Sequence, residues 1–241
     1  MFSKSTKSVF LQKKGENSPT SVSLNQLEQF FDIIYRSELI FPSEEFRKEV
    51  AKNCPYLLRS QWVAKNVRGN YNWEKLLADE IPPMVIKWID NTIGYGVFAG
   101  KDLDVGTLIG EYTGVVRRLY RSSKEVSGVK DCSKLTCAVG LDQSPTAQVI
   151  FEQSLSDNSY CFHYPTRFWS WKYFAIDALN QGNITRFLNH SDNPNLDPIC
   201  FIDDDKILHL MFITNKPIRE GTQITFNYGE DYWIHRKKVE F

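Results

Sequence analysis

The chain lacks any pair of cysteines spaced as C-x-x-C. Its five cysteines, Cys54, Cys132, Cys137, Cys161 and Cys200, are odd in number and scattered over 241 residues. Structural zinc modules need ligands grouped a few residues apart, and disulfide frameworks need an even count in a small chain. Free thiols in a reducing compartment are therefore expected, with no metal site. The chain also lacks an apolar run approaching the roughly 18 residues of a membrane span, so no membrane segment is expected. It lacks net charge: Lys+Arg and Asp+Glu stand at 29 each. A protein that binds nucleic acid by neutralising phosphates shows a basic excess, so direct nucleic-acid binding is not expected. The first residues, Met1 to Pro19, are rich in Ser, Thr and Lys with one acid, Glu16, and lack the apolar core of a secretory signal. Residues 1–22 are expected to form a disordered tail.

What is present is a globular composition with 14% aromatic residues, suited to a β-rich core or to stacking pockets. Two zones follow the tail. Over 23–83 the pattern is helical. Leu24, Leu27, Phe30, Phe31 and Ile34 recur at helical spacing after Ser23, which with Gln26 can form a capping box. Pro42-Ser43-Glu44-Glu45 reads as a second helix start, ended by Asn53-Cys54-Pro55. From Met84 the chain turns to short strands separated by Gly, Pro, Asn and Asp. Strands are expected at 85–89, 95–99, 107–112, 160–164, 174–177, 196–202, 207–213 and 224–228. Asp203-Asp204-Asp205 reads as a hairpin tip, and 124–171 as an insertion with a little helix. The expected class is mainly β (α+β).

Several segments carry groups that bind or activate. Gly94-Tyr95-Gly96-Val97-Phe98-Ala99 looks like a dinucleotide fingerprint, but turn residues follow it where that motif needs a helix N-terminus. Its glycines can instead let the backbone approach a ligand, with Tyr95 covering it. Arg186-Phe187-Leu188-Asn189-His190-Ser191-Asp192-Asn193-Pro194-Asn195 packs an Arg, an Asn and a His into five residues. Taken alone it also reads as a turn whose Asn and Asp bond their own backbone. Phe226-Asn227-Tyr228-Gly229 places a Tyr at the end of an alternating strand, where a core tyrosine is the plainer reading.

These pieces occur in order with three more: Glu111-Tyr112-Thr113-Gly114, Asp157-Asn158-Ser159-Tyr160, and Phe174-Ala175-Ile176-Asp177 preceded by Tyr173. Six segments in this register over about 140 residues resemble the motifs of the SET domain, the fold of most protein-lysine methyltransferases. The resemblance covers 84–233, leaving 234–241 as a short C-terminal flank. It implies small curved sheets with a C-terminal pseudoknot, and an S-adenosylmethionine site facing a narrow channel for the target lysine. Carried over, Gly94, Tyr95, Gly96, Ser159, Tyr160, Arg186, Asn189 and His190 would contact the cofactor. Tyr112 and Tyr228 would line the channel at the transfer point. Phe226 would stand where Phe or Tyr tunes the number of methyls added.

The residue types suit that chemistry. A lysine of pKa near 10.4 is neutral only about once in a thousand at pH 7.4, a penalty of roughly 4 kcal/mol. An aromatic channel disfavours the ammonium by desolvation. Neutral tyrosine hydroxyls can orient the amine without trapping it as a salt bridge would.

The cysteine-rich flanks of many family members have no counterpart. Tyr232 and Trp233, or a second copy of the chain in a homo-oligomer, would have to close the channel. The zinc-free form resembles stand-alone SET proteins of bacteria living in eukaryotic cells, which implies a cytoplasmic protein or one delivered to a host nucleus. The expected function is methyl transfer from S-adenosylmethionine to a lysine of a protein, with a histone or histone-like tail as substrate. The alternative is a catalytically inactive SET-like protein-binding module.

Overall fold

A computed structural model of the chain describes residues 8–54, 81–119, 158–164 and 173–233. Most of the expected insertion over 124–171, and the flank 234–241, lie outside the described residues.

The expected tail is not one from Ser8 onward. Ser8–Gln12 (β1) and Thr20–Ser23 (β2) pair antiparallel, with Val9 opposite Val22. Leu11 is buried, 1% exposed. The polar composition misled because alternating Val9 and Leu11 put an apolar edge on an otherwise polar segment, and a strand needs only that one face.

Ser23 then caps a helix, Leu24–Phe31 (α1). Its hydroxyl accepts from the Gln26 N–H, and the Gln26 side chain accepts from the Ser23 N–H. Asp32 ends the helix in the left-handed region, φ 51°, with its N–H on the Glu28 carbonyl. Ile34–Tyr35 (β3) follows. Glu44–Lys52 (α2) begins at Ser43, whose hydroxyl accepts from the Phe46 N–H, with Glu44 and Glu45 favourable at the positive end of the helix dipole.

Beyond residue 80 the strands are Met84–Asp90 (β4), Gly94–Ala99 (β5), Leu108–Glu111 (β6), Val115–Leu119 (β7), Cys161–Tyr164 (β8), Tyr173–Asp177 (β9), Gln181–Gly182 (β10), Asn189–His190 (β11), Leu196–Ile202 (β12), Leu208–Thr214 (β13) and Gln223–Phe226 (β14). A 3₁₀ turn covers Ile184–Phe187 and a short helix, Glu230–Trp233 (α3), follows the last strand. The expected strands all form, with ends moved by a residue or two. Added to them are β7, β10 and β11, which are short or carry Arg, Asn and His where apolar alternation is expected.

The strands make small sheets. One has the order β11-β14-β5-β4-β1-β2, so the N-terminal hairpin and the later strands share a sheet across the expected boundary at 83/84. β14, the last strand, lies between β5, to which it is antiparallel, and β11, to which it is parallel. That insertion of the last strand between two earlier ones is the strand order a pseudoknot requires. Separate sheets are formed by β12-β13-β6, by β7-β9-β8 and by the pair β10-β3. β13 is buried on both faces: Leu208, Leu210 and Phe212 join the main core, while Met211 and Ile213 form a second small cluster with Leu108 of β6 and Ile199 of β12. The main core runs through Ile86, Val97, Ile109, Val116, Phe174, Ile176, Leu208, Phe212 and Ile224, all 0% exposed.

The tip at Asp203–Asp205 is a hairpin between β12 and β13, closed by the Ile207 N–H on Asp203 Oδ1 at 2.7 Å. Its acids also reach outward. Asp205 pairs with Arg47 of α2 at 2.6 Å, and Asp203 lies 3.3 Å from His209. Among the described residues no helix is long and apolar enough to cross a membrane.

Candidate active site

Tyr112 follows directly on β6 and is 6% exposed. Its hydroxyl donates to the Tyr160 carbonyl at 2.8 Å. Tyr228 follows β14 by two residues, and its hydroxyl donates to the Leu188 carbonyl at 2.6 Å. Burial pushes both phenols above their ordinary pKa, and Tyr228 raises Tyr112 further. Both are therefore neutral at any working pH. Each has committed its one proton to a backbone carbonyl, so only its oxygen lone pairs remain for another donor.

The rings between them form a continuous aromatic wall. Phe162 lies 5.6 Å from Tyr112 and 6.2 Å from Phe226. Phe226, 5% exposed, lies 4.7 Å from both Phe212 and Tyr228. Tyr232 meets Tyr228 edge-on at 4.6 Å, and Trp233 stacks over it at 6.1 Å and 12°. The chain's own α3 thus packs against the Tyr228 ring.

The stretch 186–195 is only partly a turn. Asn189 and His190 pair with Thr225 and Phe226. Asn195 clamps β14 beside them: its side-chain oxygen accepts from the Thr225 N–H at 2.8 Å, and its Nδ2 donates to the Gln223 carbonyl at 2.8 Å. His190 is 2% exposed. Its Nδ1 accepts from the Tyr228 N–H at 3.1 Å, which leaves the proton on Nε2, 3.2 Å from Asp192 Oδ1. Both ring nitrogens are engaged, and the imidazole fixes the backbone that carries Tyr228. Its edge also meets Trp233 at 4.9 Å.

Arg186 is 8% exposed and gives its Nε to the Ala178 carbonyl at 2.8 Å and a terminal nitrogen to the Leu179 carbonyl at 2.9 Å. Its guanidinium lies 4.0 Å from the centre of the Tyr160 ring. Arg186 therefore holds Tyr160, whose carbonyl holds Tyr112. Ser159 is exposed on the turn before β8, away from these buried contacts.

Gly94 and Gly96 differ in what they permit. Gly94 has φ +80°, and a Cβ there would meet nothing within 4 Å. A Cβ on Gly96 would lie 2.8 Å from Asn189 Nδ2, 2.9 Å from Gln223 Nε2 and 2.7 Å from Ile89. The glycine thus brings Asn189 against the turn, where its Nδ2 donates to the Tyr95 carbonyl at 3.2 Å. Two buried donors, Gln223 Nε2 and Trp233 Nε1, have no acceptor among the described residues. Gln223 carried no signal in the sequence, because a polar residue opening a strand is ordinary. The Tyr95 ring does not cover open space. It packs among Phe30, Phe31 and Trp88.

An open cavity of about 720 Å³ lies elsewhere, between residues 38–47 and the β6 and β12–β13 side chains Glu111, Asp203, Ile207 and His209. No group of His, Cys, Asp and Glu among the described residues is arranged to hold a metal ion.

A profile of the SET domain matches residues 94–229. The chain is 31% identical over 149 residues to the histone-lysine N-methyltransferase Su(var)3-9 of Drosophila melanogaster, covering 61% of this chain and 20% of that protein. It is 26% identical over 150 residues to the histone-lysine N-methyltransferase EHMT1 of Mus musculus, covering 61% of this chain and 9% of that one. The chain thus spans a fifth or less of these relatives' length. The crystal structure of ATXR5 in complex with histone H3.1 mono-methylated on R26 superposes with a TM-score of 0.54 at 14% identity, over 90% of this chain and 88% of that one, which shows a shared fold. With the profile spanning more than half of its length and the motifs gathered around the Tyr112–Tyr228 pair, the chain belongs to the SET-domain family.

Proposed function

We propose that the protein transfers a methyl group from S-adenosylmethionine to the ε-amine of a lysine in a protein substrate. The observation that carries this reading is the pair of neutral tyrosines, buried Tyr112 and half-buried Tyr228, whose protons are both committed to backbone carbonyls. Their lone pairs can accept from a lysine N–H. Neither can carry the charge that would hold the lysine as an ammonium. The aromatic wall of Phe162, Phe226 and Phe212 removes water, which disfavours the charged amine and favours the neutral nucleophile. Holding that amine in line supplies the remainder of the acceleration.

S-adenosylmethionine supplies an electrophilic methyl on a sulfonium centre. The residues on the opposite side of β14 and β5 suit such a group. The open backbone at Gly94, the Asn189 amide, and Gln223 Nε2, which has no acceptor among the described residues, offer backbone approach and hydrogen bonds to a polar ligand. The Tyr95 carbonyl and Gly96 hold the Asn189 amide in place there, and Tyr160 is a further proposed contact. Arg186 and His190 act there as positioning residues, since their polar atoms already engage Ala178, Leu179, Tyr228 and Asp192.

Tyr232 and Trp233 serve as a cover over Tyr228. A histone or histone-like tail is the proposed substrate. The names of the relatives support it, and so does the channel's demand for a lysine on an extended, accessible segment. The alternative, an inactive protein-binding module, is disfavoured because such a scaffold has no need of two neutral phenols at the end of an aromatic channel. Calorimetry with S-adenosylhomocysteine separates the two readings. The enzyme binds it with a defined stoichiometry of one, and the inactive module shows no heat.

A further inference from the structure

Resting on the reading of the Gly94–Gly96 and Arg186–His190 segments as the cofactor side, we propose that Phe31 of α1 is a positioning residue that holds those two segments in register. α1 lies upstream of the residues matched by the SET profile, so nothing in the family match assigns it a part.

Phe31 touches both segments at once. Its ring lies 4.9 Å from that of Tyr95, edge to face, and 4.5 Å from that of Phe187. Tyr95 is fixed from its remaining sides by Phe30 at 5.9 Å and Trp88 at 5.2 Å. Phe187 is 6% exposed and follows Arg186, whose guanidinium lies 4.8 Å from the Phe187 ring.

Phe31 can do this because its own backbone is pinned. Leu27, one turn earlier, is fully buried. The helix is capped at both ends, by the Ser23–Gln26 box and by Asp32 in the left-handed region. The chain after it then bonds to the backbone leading into the 3₁₀ turn. The Ile34 N–H donates to the Asn180 carbonyl at 2.9 Å, and the Arg36 N–H to the Gly182 carbonyl at 3.0 Å. Residues 31–36 thus form a brace: Phe31 packs on both cofactor segments, and residues 34–36 are tied to 180–182, just ahead of the second. Losing the Phe31 ring frees the Tyr95 turn to shift against Asn189, which approaches Gly96 too closely for even a Cβ to intervene.

The test is titration of the full chain with S-adenosylhomocysteine by calorimetry, beside steady-state kinetics with varied S-adenosylmethionine. Phe31→Ala is expected to raise the dissociation constant about fivefold or more, the loss anticipated from two aromatic pairs. KM for the cofactor rises in parallel, while kcat at saturation stays within about twofold of wild type. Phe31→Tyr keeps the ring and restores affinity. Phe31→Leu keeps apolar volume without the ring, and carries the test if the alanine variant does not fold. Val50→Ala, a buried α2 position remote from both segments, controls for general destabilisation and leaves affinity unchanged. Wild-type affinity in Phe31→Ala or Phe31→Leu overturns the inference, as does an equal loss in Val50→Ala. A wild-type chain that does not bind S-adenosylhomocysteine overturns the cofactor reading and this inference with it.

Discussion

Tyr228→Phe removes one oxygen and leaves the rest of the wall in place. The ring keeps its neighbours Phe226 and Tyr232, at 4.7 and 4.6 Å, and its stacking on Trp233. Its backbone N–H keeps His190. What is lost is the 2.6 Å hydrogen bond to the Leu188 carbonyl and the lone pair facing the amine. The first loss costs stability of about 1–2 kcal/mol, the usual penalty for stranding a buried acceptor. For a chain of this size that lowers Tm by a few degrees. The second loss acts on the rate. Removing one placed polar group from a water-excluded site costs about 10²–10³ in kcat, and a misplacement of about 1 Å costs about 10². A fall of at least about a hundredfold in single-turnover methyl transfer is therefore expected. The affinity for S-adenosylhomocysteine stays within about twofold, because the hydroxyl is committed to Leu188 and the amine side. Radiolabelled transfer at saturating cofactor reads the first number and calorimetry the second. Transfer within about threefold of wild type by a folded Tyr228→Phe protein would refute the assignment of Tyr228 to the reacting amine.

Asn189→Ala removes the amide bonded to Tyr95 and is expected to weaken S-adenosylhomocysteine binding by about tenfold or more, on the scale of a buried polar group left unpaired, as read by calorimetry. His190→Ala, which strands the Tyr228 N–H, should lower kcat at saturating cofactor as well as Tm, and unchanged kcat would count against its positioning role. Phe226→Tyr adds a hydroxyl that can hold a water beside the amine. Mass spectra should show products moving from di- and trimethyl-lysine toward monomethyl-lysine, and wild-type enzyme that stops at monomethyl would contradict this. Burial would lower the pKa of His209, but hydrogen bonds to Glu111 and Asp203 outweigh it and the folded value is raised above the ordinary 6.5. Its contribution to stability is therefore complete below about pH 6.5 and is lost as pH rises through the folded value. Thermal melts across that window should show Tm falling with pH, and His209→Gln should flatten the slope.

The segments that make up the candidate site were legible because they combine residue types that few other roles bring together. Tyr112 and Tyr228 each close an apolar strand, and Asn189-His190 sits between an Arg-Phe pair and a Pro. The alternation of β4, β12 and β13 gave away the sheets. The tail was misread because only Val9 and Leu11 face the core there, and β1 is held by partners distant in sequence at Val22 and Ile86. The two-residue strand β11 was hidden for the same reason: its pairing with β14 depends on Asn195, not on its own composition. The roles of Arg186 and His190 could not be divided from sequence either. Whether a guanidinium or an imidazole touches a ligand or braces its neighbours depends on where Ala178 and Asp192 end up. The part played by Phe31 needed the fold, because it spans segments 64 and 156 residues away.

Lysine methylation at the Tyr112–Tyr228 channel is the activity proposed for this protein. Its most direct measurement incubates the full chain with S-adenosylmethionine and core histones, and maps the products by tandem mass spectrometry. Methyl groups are expected on lysine side chains with the wild-type protein, with a near-complete loss of them in Tyr228→Phe. A folded protein that binds S-adenosylhomocysteine yet leaves every lysine of core histones and of a whole-cell lysate unmethylated, or equal methylation by both proteins, would contradict it.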